Sequence, residues 1–186
     1  MKKHRIVIVA LAAALLVTGT ALAASVKSGP QVGDDLAGPF HPLNVNGAKA
    51  GEKFCLYCTN GSNPVAMVFA RECSDNLGKL IKKIDACTAK HSDCKMGSFV
   101  VFCSNEEGLE TKLKKFAGEA KLKKCILAID NPAGPKGYNV AKDADVTVVL
   151  YVDRNVKANY AFKKGELSPE QTTKILADLG KILPMK

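Results

Sequence analysis

Residues 51–76, GEKFCLYCTNGSNPVAMVFARECSDN, decide how this chain folds. They hold a Cys-x-x-Cys motif at Cys55 and Cys58, an apolar run from Val65 to Ala70, and Cys73 just beyond that run. A continuous apolar run bounded by turn residues is typical of a strand buried on both faces. Cys-x-x-Cys serves redox sites, metal sites and structural disulfides alike, so the spacing leaves the role of the motif open.

The pattern outside this segment alternates between strands and helices. After Ser74, apolar residues fall at helical spacing with lysines opposite them, which predicts a helix that ends near Cys87. Further strands are predicted at 98–103, 125–130, 146–152 and 156–162, with helices starting near Ser104 and Ser168. Residues 40–45 and the KFCLYC segment predict an N-terminal β-hairpin. This order predicts an α/β fold with a central mixed sheet flanked by helices.

The first 23 residues have the layout of a secretory signal peptide. Lys2, Lys3 and Arg5 precede an apolar run shorter than the roughly 20 residues that span a bilayer. Ala21 and Ala23 then place small residues at the two positions that a signal peptidase reads. We therefore expect a signal peptide at 1–23, an irregular arm at 24–39 and one domain at 40–186, in a periplasmic or secreted protein without membrane attachment after cleavage.

Charge and composition limit the possible partners. The whole chain has a net charge of +9, and without the three basic residues near its start 24 basic residues face 18 acidic ones, a net charge of +6. The lysines are scattered over predicted helix faces and aromatic residues are few. This pattern indicates a solvated basic surface and argues against nucleic-acid binding.

The seven cysteines would meet an oxidising compartment after export, where disulfides persist. Cys87 and Cys94 are interpreted as a bridge between a helix end and the following loop. Cys103 and Cys125 are interpreted as buried thiols, with a bridge between them as the alternative. An odd number leaves at least one thiol unpaired within one chain.

The predicted order of elements, together with Val32-Gly33-Asp34, the PVAMVFAREC segment and the closing VTVVLYVDRNVKANYAF segment, resembles the thioredoxin-like superfamily and its redoxin or peroxiredoxin-like branch. The resemblance covers nearly all of the chain beyond the signal. It implies that Cys73, at the start of the helix after the central strand, is the attacking thiol. A helix N-terminus favours a thiolate, and Arg71 lies close enough in sequence to assist.

The sequence departs from the motifs of that superfamily at four positions. Asn76 stands where the second cysteine of the usual motif would lie, and Val146 where a cis-proline would face the active site. Ala66 and Ala70 stand where peroxiredoxins carry a proline and a threonine. These departures count against a standard thioredoxin or peroxiredoxin mechanism.

The motif at Cys55 and Cys58 has two competing interpretations. In a regular strand these side chains would point to opposite faces, so a bond between them requires a turn or bulge. In the first, Cys73 reacts with the substrate and Cys55 or Cys58 then attacks the resulting bond as the resolving cysteine. In the second, Cys55 and Cys58 form a structural disulfide that stabilises the hairpin. A third and weaker hypothesis is a thiolate-rich metal site formed by Cys55, Cys58, Cys87, His91 and Cys94.

The sequence therefore predicts an exported thioredoxin-fold protein that carries out thiol–disulfide exchange or thiol-based antioxidant chemistry without a cofactor. Its partners would be protein thiols and disulfides or a small peroxide. The alternative is a non-catalytic binding or structural module that keeps the fold and uses its cysteines as staples.

Overall fold

The computed structural model describes residues 26–184, so the predicted signal peptide lies outside the described residues. The strands are β1 (Leu43–Asn44), β2 (Val65–Ala70), β3 (Gly97–Cys103), β4 (Ile126–Asp130), β5 (Val146–Val152) and β6 (Asn155–Phe162). The helices are α1 (Leu56–Asn60), α2 (Asp75–Lys90), α3 (Leu109–Glu119) and α4 (Pro169–Asp178), with 3-10 turns at Ser92–Cys94 and Leu179–Lys181. Among the described helices, none is long and apolar enough to cross a membrane.

The six strands form one mixed sheet in the order β1-β4-β3-β2-β5-β6. The strands β2, β3 and β4 run parallel, while β5 runs antiparallel to β2 and pairs with β6 through a tight turn. All six residues of β2 are buried, as its continuous apolar run predicts. The central mixed sheet predicted from the sequence is confirmed.

The two faces of the sheet are covered differently. Buried side chains of α2, α3 and α4 pack together against one face. The other face is covered by loop residues and by Leu56 of α1, with Phe40 and Tyr138 in edge-to-face contact at 4.9 Å between ring centroids. Loops thus cover the face on which α1 lies.

The predicted N-terminal β-hairpin is reduced to a short pairing. Strand β1 has two residues and pairs with β4, while an antiparallel bridge joins Leu43 to Lys53 and the Phe54 N–H donates to the Pro42 carbonyl at 3.1 Å. From Leu56 onwards, the residues expected to continue the second hairpin strand form α1 instead. The helical turn of α1 therefore sets the distance between Cys55 and Cys58.

The arm at 24–39 is irregular over its described residues and is held against the sheet. The backbone of Gly33 and Asp34 exchanges hydrogen bonds of 2.9 and 3.0 Å with Val156 of β6. The buried Ser28 hydroxyl contacts the Thr147 hydroxyl at 2.7 Å. The arm therefore extends the edge of the sheet beside β6.

Candidate functional site

The short helix α1 begins directly after Cys55, which caps its N-terminus. Cys55 is the N-cap residue in an extended conformation, and its Sγ accepts a hydrogen bond of 3.0 Å from the Cys58 backbone N–H. Leu56 anchors the helix in the core at 4% exposure. Gly61, with a φ of 53°, ends the helix in a backbone conformation that favours glycine.

Cys55 and Cys58 are joined by a disulfide, and their Cα atoms are 5.3 Å apart. One helical turn brings these positions together, which a regular strand would not do. The two sulfurs differ in accessibility, because Cys55 is 6% exposed whereas Cys58 is an exposed residue. The bond thus presents one sulfur to solvent and keeps the other in the protein.

A cation contacts the aromatic ring of Tyr57, which lies between the two cysteines in sequence. The Arg154 guanidinium, in the turn between β5 and β6, lies 4.9 Å from the centroid of the Tyr57 ring. Such cation–π contacts favour a positive charge over the ring face. Sequence reasoning missed Arg154 as a neighbour of the motif, because nothing local in its turn indicates a contact almost 100 residues away.

Cys73 lies where the resemblance predicts, between the end of β2 and the start of α2, and it is an exposed free thiol. Ser74, rather than Cys73, caps α2 by accepting a hydrogen bond from the Leu77 N–H. Partial burial raises the pKa of Cys73 from its ordinary value, and the nearby Asp75 carboxylate raises it further. Both effects oppose the stabilisation of the thiolate expected from the helix terminus.

Arg71 does not serve Cys73 as the sequence suggested. Its guanidinium donates to the backbone carbonyls of Cys103 at 3.3 Å and Ala141 at 3.0 Å, and also to Ala144 and Pro132. These carbonyls belong to the end of β3 and to the loop before β5. These hydrogen bonds hold the loop against the carboxyl ends of the parallel strands β2 and β3.

The two predicted reaction centres lie at opposite ends of β2. The α1 segment enters β2 at Val65, beside Tyr151 near the end of β5, whereas Cys73 follows Ala70 at the other end. Six strand residues at about 3.3 Å each place these ends almost 20 Å apart. The structure does not bring Cys73 within bonding reach of Cys55 or Cys58. A reaction that passes from Cys73 to either of them would therefore require a large rearrangement.

The five residues of the metal hypothesis do not form a site. Cys55 and Cys58 are bonded to each other and so are not thiolate donors. Within residues 26–184, no three potential ligand side chains converge on one point. Cys87, His91 and Cys94 do lie together, with Cys87 Sγ at 3.5 Å from His91 Nδ1 and Cys94 Sγ at 3.2 Å from His91 O.

The remaining cysteines are thiols in this structure. Cys87 and Cys94 are half-buried and unbonded, in place of the predicted bridge. Cys103 and Cys125 are buried, as predicted, and burial raises the pKa of each to about 12. They belong to the cores on opposite faces of the sheet, which excludes the alternative bridge between them.

The fold is that of thioredoxin-like proteins, and solved structures of this kind match most of the chain. A candidate protein disulfide isomerase from Bacteroides thetaiotaomicron is 17% identical with a TM-score of 0.61, covering 85% of this chain and 94% of that one. Peroxidoxin BcpB from Mycobacterium tuberculosis is 16% identical with a TM-score of 0.54, covering 85% and 99%. A candidate thiol:disulfide interchange protein DsbE from Chlorobium tepidum is 18% identical with a TM-score of 0.52, covering 84% and 100%.

The sequence matches no protein-family model, and it matches no curated protein at significant similarity. At these identities the structural likeness establishes the fold and leaves the activity to the residues themselves.

Proposed function

We propose that this protein carries out thiol–disulfide exchange with protein thiols through the Cys55–Cys58 pair. One observation carries the proposal: the bond offers an exposed sulfur at Cys58 and keeps Cys55 buried at a helix N-cap. A sulfur that solvent reaches is the sulfur that an incoming thiolate can attack. The other sulfur then becomes the leaving group.

The first step is attack by a substrate thiolate on Cys58 Sγ. A bond forms between the substrate sulfur and Cys58, the Cys55–Cys58 bond breaks, and its electron pair stays on Cys55 Sγ. The Cys58 N–H already donates to that sulfur at 3.0 Å, so the leaving thiolate has a hydrogen-bond donor in place. A leaving thiolate that is stabilised in this way leaves faster.

A second substrate thiolate completes the exchange. It attacks the substrate sulfur of the mixed disulfide, which forms the substrate disulfide and releases Cys58 as a thiolate. The substrate dithiol is oxidised by two electrons and the Cys55–Cys58 pair is reduced to two thiols. The reverse sequence reduces a substrate disulfide.

The residues of this chain support disulfide exchange more directly than peroxide chemistry. The matching structures include both disulfide-exchange proteins and peroxidases, so the shared fold does not choose between the two activities. Ala66 and Ala70 offer no hydroxyl to polarise a peroxide at the end of β2. Protein thiols are therefore the preferred substrate class.

Export forms part of the same proposal. The basic and apolar layout of residues 1–23 supports secretion into an oxidising compartment, where the pair would be kept closed between reactions. N-terminal sequencing of the protein from a periplasmic or secreted fraction tests this point. A mature chain that still begins at Met1 would contradict it.

The decisive experiment measures exchange at each sulfur separately. In a Cys73→Ser background, which removes the exposed free thiol, Cys55→Ser leaves Cys58 and Cys58→Ser leaves Cys55 as the remaining cysteine of the pair. We expect the Cys58 thiol of the first variant to react with 5,5′-dithiobis(2-nitrobenzoate) at least about tenfold faster than Cys55 in the second, because Cys55 is buried. In the wild type, we expect glutathione to reduce the pair at a potential above about −300 mV.

Cys73→Ser is the matched control, since Cys73 is exposed and unbonded. Unchanged exchange in this variant supports the proposal, whereas complete loss would favour Cys73 as the attacking thiol. A Cys55–Cys58 bond that glutathione leaves closed would refute exchange. That result would favour the non-catalytic module, in which the disulfide only stabilises the fold.

A further inference from the structure

Three residues at the end of α2 form a second thiol cluster that the proposed exchange does not use. His91 follows the last residue of α2, Cys87 lies one turn before it, and Cys94 ends the 3-10 turn after it. His91 Nδ1 lies 3.5 Å from Cys87 Sγ and 3.0 Å from the Cys87 carbonyl oxygen, and the Cys94 thiol donates to the His91 carbonyl at 3.2 Å. The two thiols thus contact the same histidine, Cys87 at its ring and Cys94 at its backbone carbonyl.

These two thiols are more accessible than the structural cysteines of the core. Cys87 and Cys94 are half-buried, whereas Cys103 and Cys125 are buried in strands or at a strand start. Cys94 also lines a groove of about 640 Å³ with Pro64, Val152 and Leu183. A small disulfide has room to reach Cys94 there.

Both sulfurs lie against the same residue, since Cys87 Sγ contacts the His91 ring and the Cys94 thiol donates to the His91 carbonyl. A disulfide needs Cα atoms within about 4.4–6.8 Å of each other. The segment between the two cysteines holds the end of α2 and a single 3-10 turn, so closing the pair would move residues outside the sheet.

The geometry points to Cys87 and Cys94 as a second redox pair, which an external low-molecular-weight disulfide closes while the His91 ring N–H stabilises the Cys87 thiolate. The Cys94 thiolate attacks the external disulfide, forms a mixed disulfide and releases one thiol. The Cys87 thiolate, its proton lost to solvent, then attacks Cys94 Sγ and releases the second thiol. The external disulfide is reduced by two electrons, and one protein disulfide forms.

His91 is suited to this role because its ring N–H lies close to both the carbonyl oxygen and the sulfur of Cys87. The carbonyl oxygen, 3.0 Å away, can only accept a hydrogen bond, so Nδ1 carries a proton, and the sulfur lies 3.5 Å from the same nitrogen. Burial raises the pKa of the Cys87 thiol and Lys90 opposes that effect. A donor beside the sulfur favours the thiolate that attacks Cys94.

The test uses the full chain with Cys55→Ser, Cys58→Ser and Cys73→Ser. These changes remove the first pair and the exposed Cys73 thiol, so the result is independent of the proposed function. The reduced protein is treated with oxidised glutathione, alkylated and mapped by mass spectrometry. We expect a Cys87–Cys94 disulfide without retained glutathione, while Cys103 and Cys125 remain thiols. Adding Cys87→Ser should leave glutathione trapped on Cys94.

His91→Ala removes the ring N–H donor, and His91→Gln supplies an amide donor in its place. We expect His91→Ala to slow closure by about tenfold while leaving the first attack at Cys94 unchanged, so that glutathionylated Cys94 accumulates, and we expect His91→Gln to recover part of the rate. Stable glutathione on Cys94 without the His91 change, two unreacted thiols, or any other pairing of these cysteines would overturn the inference.

Discussion

Opening the Cys55–Cys58 bond is expected to lower the free energy of unfolding by only about 2 kcal/mol. The bond links residues three positions apart, so it closes a loop of four residues. A loop that short restricts the unfolded chain by about 6 cal/mol/K, which gives the 2 kcal/mol at 25 °C. A bond with so small a stabilising effect can open and close without loss of the fold.

Other contacts hold α1 in place when the bond is open. Leu56 is 4% exposed and packs in the core. The Thr59 hydroxyl donates to the Cys55 carbonyl at 3.0 Å, and the Asn60 side chain donates to the Leu56 carbonyl at 2.8 Å. These contacts do not involve the sulfur–sulfur bond, so reduction should leave the helix docked.

The assay compares thermal and denaturant unfolding of the oxidised protein, the protein reduced with dithiothreitol, and a Cys55→Ala/Cys58→Ala variant. For a domain of this size, 2 kcal/mol corresponds to a decrease in Tm of about 4–8 °C. The double variant should lose about 1 kcal/mol more than the reduced protein, because alanine removes the N-cap acceptor. A Cys73→Ser variant should keep the wild-type difference between oxidised and reduced forms.

A much larger loss would refute this reasoning. If reduction unfolds the protein, or costs more than about 4 kcal/mol, the bond supports the fold and cannot act in repeated exchange. If reduction changes nothing, α1 is held entirely by its other contacts, and the entropic estimate is wrong.

Three further predictions follow from single contacts. Alkylation of Cys73 should reach its plateau at a higher pH than that of an ordinary thiol, because burial and Asp75 raise its pKa, and Asp75→Asn should move the profile to lower pH; a plateau near neutral pH would contradict this. Gly97→Ala should cost about 1–3 kcal/mol in denaturant unfolding, because the added methyl group would overlap Asn60 Oδ1, and Asn60→Ala should recover part of the loss. Tyr151→Phe should leave the free energy of unfolding unchanged or slightly higher, since the buried hydroxyl has no hydrogen-bond partner; a loss above about 1 kcal/mol would reveal one.

The sheet and the long helices could be predicted from the sequence because their signals are local. The apolar run of β2 and the helical spacing within α2 identify each element without reference to the rest of the chain. The helix predicted from Ser104 was placed too early, since α3 starts at Leu109 after a Gly108 N-cap. Boundaries of this kind depend on hydrogen bonds that periodicity does not report.

The short helix at the cysteine motif could not be predicted in the same way. Five residues are too few for a periodic pattern, and KFCLYC alternates well enough to resemble a strand. What favours the turn is the disulfide together with the burial of Leu56. Both depend on the packed sheet, so neither is visible in the segment alone.

The sequence by itself determined the α/β order, the central strand and the presence of a Cys-x-x-Cys motif, because periodicity and composition act over a few residues. Only the tertiary structure decided which sulfurs can react together. The direction of β2 places Cys55 and Cys58 at one of its ends and Cys73 at the other. Likewise, the buried Asp85 carboxylate of α2 accepts hydrogen bonds from the backbone of Lys124 and Cys125 at 2.7 Å, across about 40 residues of chain. Distances between remote residues follow from strand order and register, which local spacing does not encode.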